Sequence, residues 1–262
     1  MPRYTRSVLA ALLAAALVVT SSGRAAQARE LRVEPAFDVA TIAAIGVFDA
    51  GAWELDRTWH GDPCPCLRTD VPAFDRVAIG RHDVRGAAVS DWLQYSSIVA
   101  SPLLTFGTDP GNRRDGVVAG LVAIEAMSLA GSTTQLLKSA VHRPRPPGYE
   151  EGVSPPYDYH SLPSGHATGA FAAAASATTI FALRHPHSRA TPWIAAAGFL
   201  VAGTTAALRV EAGRHFPSDV LAGAAIGTAA GIGVPLAHAN LPATIAFTHD
   251  GVMVRVRFGS VR

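Results

Sequence analysis

The sequence predicts an all-α fold, a bundle of about six helices with the functional site at one end, followed by a small C-terminal β-hairpin. Three observations predict it. Long apolar runs are separated by stretches rich in Pro, Gly and Asp. Three of these runs, Ala167 to Leu183, Ala190 to Leu208 and Val220 to Ala237, contain no Asp, Glu, Lys or Arg over 17, 19 and 18 residues. After Pro242 the pattern changes to alternation: Ile245 and Phe247, then Asp250-Gly251, then Val252, Val254, Val256 and Phe258. Asp-Gly between alternating apolar runs is a strong hairpin signal.

The first helix is predicted over Phe37 to Trp53, interrupted by Asp38 and Asp49. A loop rich in Pro, Asp and Arg follows, from Glu54 to about Arg85. Gly86 to Phe106 suggests the second helix, with Asp91 near its start and Pro102 near its end, and Thr108 to Asn112 is turn chemistry. The third helix runs from Asp115 to about Ala140, with an acid at its start and Lys138 near its end. A long polar loop, rich in proline from Pro144 to Pro163, leads to the fourth helix, which begins at Ser164. His185-Pro186-His187 breaks that helix. Pro192 starts a fifth, ending near Arg209, and Pro217 starts a sixth.

The chain begins like an export signal: Arg3 and Arg6, an apolar run from Val8 to Val19, then Ala26-Gln27-Ala28 as a cleavage site. Removing 28 residues leaves 234 of the 262, enough for one domain with a proper core. The leader holds three of the 22 Lys+Arg and none of the 20 Asp+Glu, so the remainder carries a formal charge of −1. That balance excludes general nucleic-acid binding, which needs a basic surface. Cys64 and Cys66 flank Pro65; export allows a disulfide, the short stiff ring counts against one, and both states stay open.

Three helices approach the ~17–20 residues that a membrane span needs. They are built from Ala, Gly and Thr, which gain little from lipid, and Glu125 sits in the middle of the third helix. Composition therefore weighs slightly toward a bundle outside the bilayer, with membrane contact left open. If the last five helices span, Arg113 and Arg114 and the turn from Arg184 to Arg189 fall inside, and the polar motifs face outside.

Those motifs are three. Pro163-Ser164-Gly165-His166 opens the fourth helix: Ser is a cap, the free N–H groups and the dipole of a helix start attract anions, and Gly165 leaves them open to a ligand. His166 at the rim can transfer a proton near neutral pH. Lys138-Ser-Ala-Val-His-Arg-Pro-Arg145-Pro146 lies where the third helix meets the long loop. Arg209-Val-Glu-Ala-Gly-Arg-His215-Phe-Pro-Ser-Asp219 joins the fifth and sixth helices. An up-down order puts all three at one end of the bundle. Lys138, Arg145 and Arg209 then converge on one point, where they suit phosphate. His215 and Asp219 are four apart; a carboxylate on one ring nitrogen makes the other a better nucleophile. One histidine to attack and one to protonate the leaving oxygen is the minimum set for metal-free phosphoester cleavage.

Together these stretches resemble the signature of the type 2 phosphatidic acid phosphatase and vanadium haloperoxidase superfamily: Lys-x6-Arg-Pro, Pro-Ser-Gly-His, and Ser-Arg-x5-His-x3-Asp. The resemblance covers about Asp115 to His238, with one departure: Leu208 stands where serine is usual. It implies that His215 attacks phosphorus and forms a phosphohistidine, Asp219 orients it, and His166 protonates the leaving alcohol and then activates water. It implies that Lys138, Arg145 and Arg209 hold the phosphoryl oxygens with Ser164 and the Gly165 amide. His142 and Arg143 flank the motifs and are read from their position as candidate rim contacts. No cofactor and no metal are expected. The expected activity is an extracytoplasmic phosphatase on a lipid phosphate, a lipid pyrophosphate or a soluble ester. The alternatives are a vanadate-dependent haloperoxidase and a non-catalytic phosphate-binding envelope protein. The expected organisation is an export signal over 1–28, N-terminal helices with the Cys-containing loop over 29–114, a phosphatase-type core over 115–240 and a hairpin tail over 241–262.

Overall fold

The computed structural model describes residues 28–57, 66–108, 112–150 and 158–239, and the backbone of 243–248 and 251–256. The expected export signal lies almost wholly outside the described residues, as does Cys64; Cys66 is disulfide-bonded. Among the described residues the body is six α-helices: α1 Pro35–Arg57, α2 Val84–Gly107, α3 Arg113–Val141, α4 Gly165–Arg184, α5 Thr191–Glu211 and α6 Pro217–His238. The hairpin expected after Pro242 falls on residues whose side chains are not described. The backbone there traces two antiparallel strands, Ala243–Thr248 and Gly251–Val256, and the fold class rests on the helices alone.

Local chemistry sets the helix ends. Asp83 caps α2, its carboxylate accepting from the Gly86 N–H at 2.9 Å. Asn112 caps α3 by accepting from the Asp115 N–H at 3.3 Å. That helix ends when His142 takes a left-handed conformation, φ 46°, and donates its N–H to the Lys138 carbonyl at 3.0 Å. Ser164 is the N-cap of α4, its carbonyl accepting from the Thr168 N–H at 2.9 Å. Pro217 opens α6, and Asp219 in its first turn accepts from the Phe216 N–H at 2.8 Å.

Helix α4 is the axis, packed against α2, α3, α5 and α6, while α1 lies on α3. The core around it is largely alanine, with few large side chains such as Phe171, Ile180 and Phe216. Small residues bury little area each, so cohesion comes from close backbone approach. Along α6, Gly223, Gly227 and Gly231 recur every fourth residue and face α4. A Cβ at Gly227 would lie 2.2 Å from the Thr168 carbonyl oxygen, and one at Gly231 would lie 2.7 Å from the Ala172 carbonyl oxygen.

The slight weight placed on a bundle outside lipid is corrected here. Four helical stretches, 113–149, 165–184, 191–211 and 217–238, are long and apolar enough to cross a membrane. The outward faces are also more apolar than composition suggested: Trp92, Leu103 and Leu104 on α2, Leu129 on α3 and Trp193 and Leu200 on α5 are exposed. Composition averages the inner and outer faces, whereas the bundle sorts alanine and glycine inward and leaves larger residues outside. These helices support membrane association.

Replacing Gly227 by Ala should destabilise the bundle by about 1–3 kcal/mol, the usual range for overpacking. A Cβ at Gly203 meets nothing within 4 Å, so Gly203→Ala should be neutral or stabilising. Thermal unfolding of both variants in detergent checks the contrast.

Candidate active site

All three motifs fall at one pole: the last turn of α3, the first turn of α4, and the α5–α6 connection. Gly165 sets the distance between the first two. A Cβ there would lie 3.8 Å from the Lys138 Nζ, so the amine rests against the start of α4. The positive charges of Arg145 and Arg209 both act on Lys138, and those of Lys138 and Arg145 act on His215. Lys138 and Arg209 likewise act on His166. Lys138, Arg145, Arg209, His166 and His215 thus lie around one electropositive region.

His215 is buried, and its Nδ1 lies 2.8 Å from the Ser161 carbonyl oxygen. A carbonyl only accepts, so Nδ1 carries the proton and Nε2 keeps its lone pair. The Asp219 Oδ2 stands 3.8 Å from Nδ1, beyond hydrogen-bond distance. Asp219 instead accepts from the Ser161 hydroxyl at 2.5 Å and from the Phe216 N–H, and so holds the loop that holds His215.

Arg143 is not the rim contact expected from its loop position. Its guanidinium donates to Asp219 Oδ1 at 2.6 Å, to the Ser218 hydroxyl at 2.6 Å and to Asp75 Oδ2 at 2.9 Å, and lies 4.2 Å over the Phe216 ring. Asp75 is fully buried and also accepts from the Ser218 N–H and hydroxyl. Leu208, at the departure from the usual motif, packs toward Gly86 at the start of α2.

Asp91 is the residue that motif reading missed. Its Oδ1 lies 2.7 Å from the His166 Nε2 and accepts from Arg209 Nη1 at 2.9 Å. An acid near the start of a helix reads as a dipole partner, so only the fold reveals this bridge. With Nε2 engaged, Nδ1 is the His166 nitrogen left for a ligand. Ser161 and Asp75 carried no sequence signal, because both act across more than 50 residues.

The cations are only partly satisfied from within. Among the described residues, the buried Arg209 Nε has no hydrogen-bond partner. Arg145 donates to the Arg214 carbonyl at 3.0 Å and pairs through Nε with Asp158 at 2.7 Å. Burial raises the Asp158 pKa, but the hydrogen bond from His160 and the charge of Arg145 outweigh it, keeping the carboxyl well below its usual range. A tetrahedral anion would supply an acceptor for that Nε–H.

The helical bundle thus carries two histidines and several cations at one pole. A family model of the PAP2 superfamily matches residues 119–242, and the chain belongs to that superfamily. A lipid A 1-phosphatase from Porphyromonas gingivalis is 37% identical over 105 residues, 40% of this chain and 20% of that protein. The match therefore spans one fifth of the length of that curated relative. The crystal structure of Aquifex aeolicus LpxE is 31% identical, covering 62% of this chain and 91% of that one with a TM-score of 0.44. A transmembrane PAP2 type phosphatidylglycerolphosphate phosphatase from Bacillus subtilis is 17% identical, covering 75% and 93% with a TM-score of 0.48.

Burial first, then the positive charges of Arg145 and Lys138 against the opposing pull of Asp219, lower the His215 pKa from 6.5 to about 3. Between these values the unfolded chain binds a proton that the folded chain does not. Stability should therefore fall as pH drops from 6.5 toward 3. His215→Gln should flatten that part of the unfolding-temperature profile, measured from pH 7 to pH 4.

Proposed function

We propose that this protein is a membrane-associated phosphatase that hydrolyses a lipid phosphate monoester through a phosphohistidine on His215. The observation that carries the reading is the lock on Nδ1 by the Ser161 carbonyl at 2.8 Å, which leaves Nε2 as the only nucleophilic nitrogen. The Nε2 lone pair attacks phosphorus and the bond to the alcohol oxygen breaks. Protonated His166 gives its proton to that leaving oxygen. Neutral His166 then takes a proton from water, whose oxygen attacks phosphorus, and the P–N bond breaks to release phosphate and restore Nε2. Lys138, Arg145 and Arg209 neutralise the phosphoryl oxygens with the Ser164 hydroxyl and the Gly165 N–H, a task other phosphoryl-transfer sites give to metal ions. Asp219 and Arg143 fix Ser161, and Asp91 orients His166.

Two observations support a lipid ester over a soluble one. The curated relative is a lipid A 1-phosphatase by name. Trp92, adjacent to Asp91 at the site's pole, is 76% exposed, and Trp193 at the other pole of the bundle is equally so. An exposed tryptophan at each pole fits the aromatic belts of a bilayer and supports a site at headgroup depth. The opposite pole carries Arg113, Arg114, Arg184 and Arg189. Both poles are cationic, so the proposed facing away from the cytoplasm rests on the expected export signal.

His215→Ala should lower phosphate release from a lipid phosphate in mixed micelles by about 10³-fold or more. His166→Ala should cost about 10²–10⁴-fold. Full activity in His215→Ala would remove the nucleophile from this scheme, and equal kcat/KM for a soluble aryl phosphate would remove the lipid preference.

A further inference from the structure

Away from the site, three residues that no motif connects meet inside the bundle. Asp38 comes from the first turn of α1, Glu125 from the middle of α3 and His238 from the last residue of α6. Each offers one ligand atom, and these atoms all lie within 4.8 Å of one another.

Both ring nitrogens of His238 face oxygen atoms. Its Nδ1 lies 2.7 Å from the Arg32 carbonyl oxygen, which only accepts, so Nδ1 carries a proton. The Nε2 lone pair of a neutral ring then faces Glu125 Oε2 at 2.7 Å. Either a proton or a metal ion fills the space between two acceptors at that distance. Asp38 adds a third acceptor: it is 5% exposed, and its buried Oδ2 has no hydrogen-bond partner. Asp38 is buried, while Glu125 and His238 are half-buried. Val122, Ala126, Ile180 and Val234 form an apolar cluster, with Leu31 and Val33 against it. Two carboxylates there are costly unless neutralised, and one divalent ion neutralises both while leaving the imidazole uncharged.

We propose that Asp38, Glu125 and His238 form a binding site for a divalent transition-metal ion of the zinc type. One imidazole nitrogen and two carboxylate oxygens suit Zn²⁺, with a fourth position for water. Mg²⁺ and Ca²⁺ prefer an all-oxygen shell. The Arg32 carbonyl supplies the outer-shell hydrogen bond that orients a ligating histidine. The ion takes the place of a proton between Nε2 and Oε2, and that proton goes to solvent. Its effect is to clamp the first turn of α1 and the segment before it onto α3 and α6. This site is separate from the phosphate-binding pole and does not depend on the proposed activity.

The test uses the full chain without a histidine tag, stripped with chelator in detergent and dialysed against Zn²⁺ or, separately, Mn²⁺. The wild type should retain about one Zn²⁺ per chain by elemental analysis, with a higher unfolding temperature than the stripped protein. Asp38→Asn and His238→Gln should each weaken Zn²⁺ binding by at least the ~10–100-fold that loss of an outer-shell partner costs, and should lose the thermal shift. A folded wild type that retains neither ion overturns the proposal. So do variants of unchanged elution and helicity that bind as tightly as wild type, because the metal then sits elsewhere. Should both variants fail to fold, the wild-type stoichiometry decides alone. None of these readouts involves phosphate release.

Discussion

One guanidinium holds the working end of this bundle together. Arg143 binds Asp75 and Asp219 at once, and among the described residues neither carboxylate has another cation so close. The three groups come from the turn before α2, the loop after α3 and the first turn of α6. Removing the guanidinium would strand two buried carboxylates, a loss of about 3–5 kcal/mol for a broken buried pair. The remaining lone pairs are met by Ser161, Ser218 and two backbone N–H groups. Support passes outward in order: Arg143 fixes Asp219, Asp219 fixes Ser161, and the Ser161 carbonyl fixes the His215 tautomer. The ring tautomer of His215 is thus determined two steps away from the ion pair.

The same economy governs the apolar body. Alanine and glycine give little burial energy per residue, so the helices must approach closely to gain dispersion contacts. The glycine row on α6 permits that approach, and Gly223 brings α6 to within contact of the Ser164 carbonyl at the head of α4. Packing of the bundle and placement of the start of α4 are therefore one constraint. The larger residues displaced from the interior appear on the outer face, where a bilayer accepts them.

Polar groups within these helices are not scattered. Asp91 is shared by His166 and Arg209, Glu125 faces His238, and the Ser132 hydroxyl donates to Asp49 at 2.6 Å. Each joins two helices that lie far apart in sequence. Ionisable residues in apolar segments are expensive unless they face a partner, and this chain places its few such residues at helix–helix contacts.

Helix positions were legible from proline, glycine and cap residues, because those signals act over a few residues. Each helix falls within about four residues of its expected bounds. The set Lys138, Arg145, Ser164, Gly165, His166, Arg209, His215 and Asp219 was legible because its members sit at helix ends that an up-down bundle must bring to one pole. Only the tertiary structure could supply Asp91, Asp75 and Ser161, or turn Arg143 from a loop charge into the buried centre of a network. Their partners lie across gaps of more than 50 residues, and no local pattern marks a residue whose purpose is set by a neighbour from another helix. Local chemistry decides where a helix starts and what its end attracts; which distant groups meet there is decided by packing.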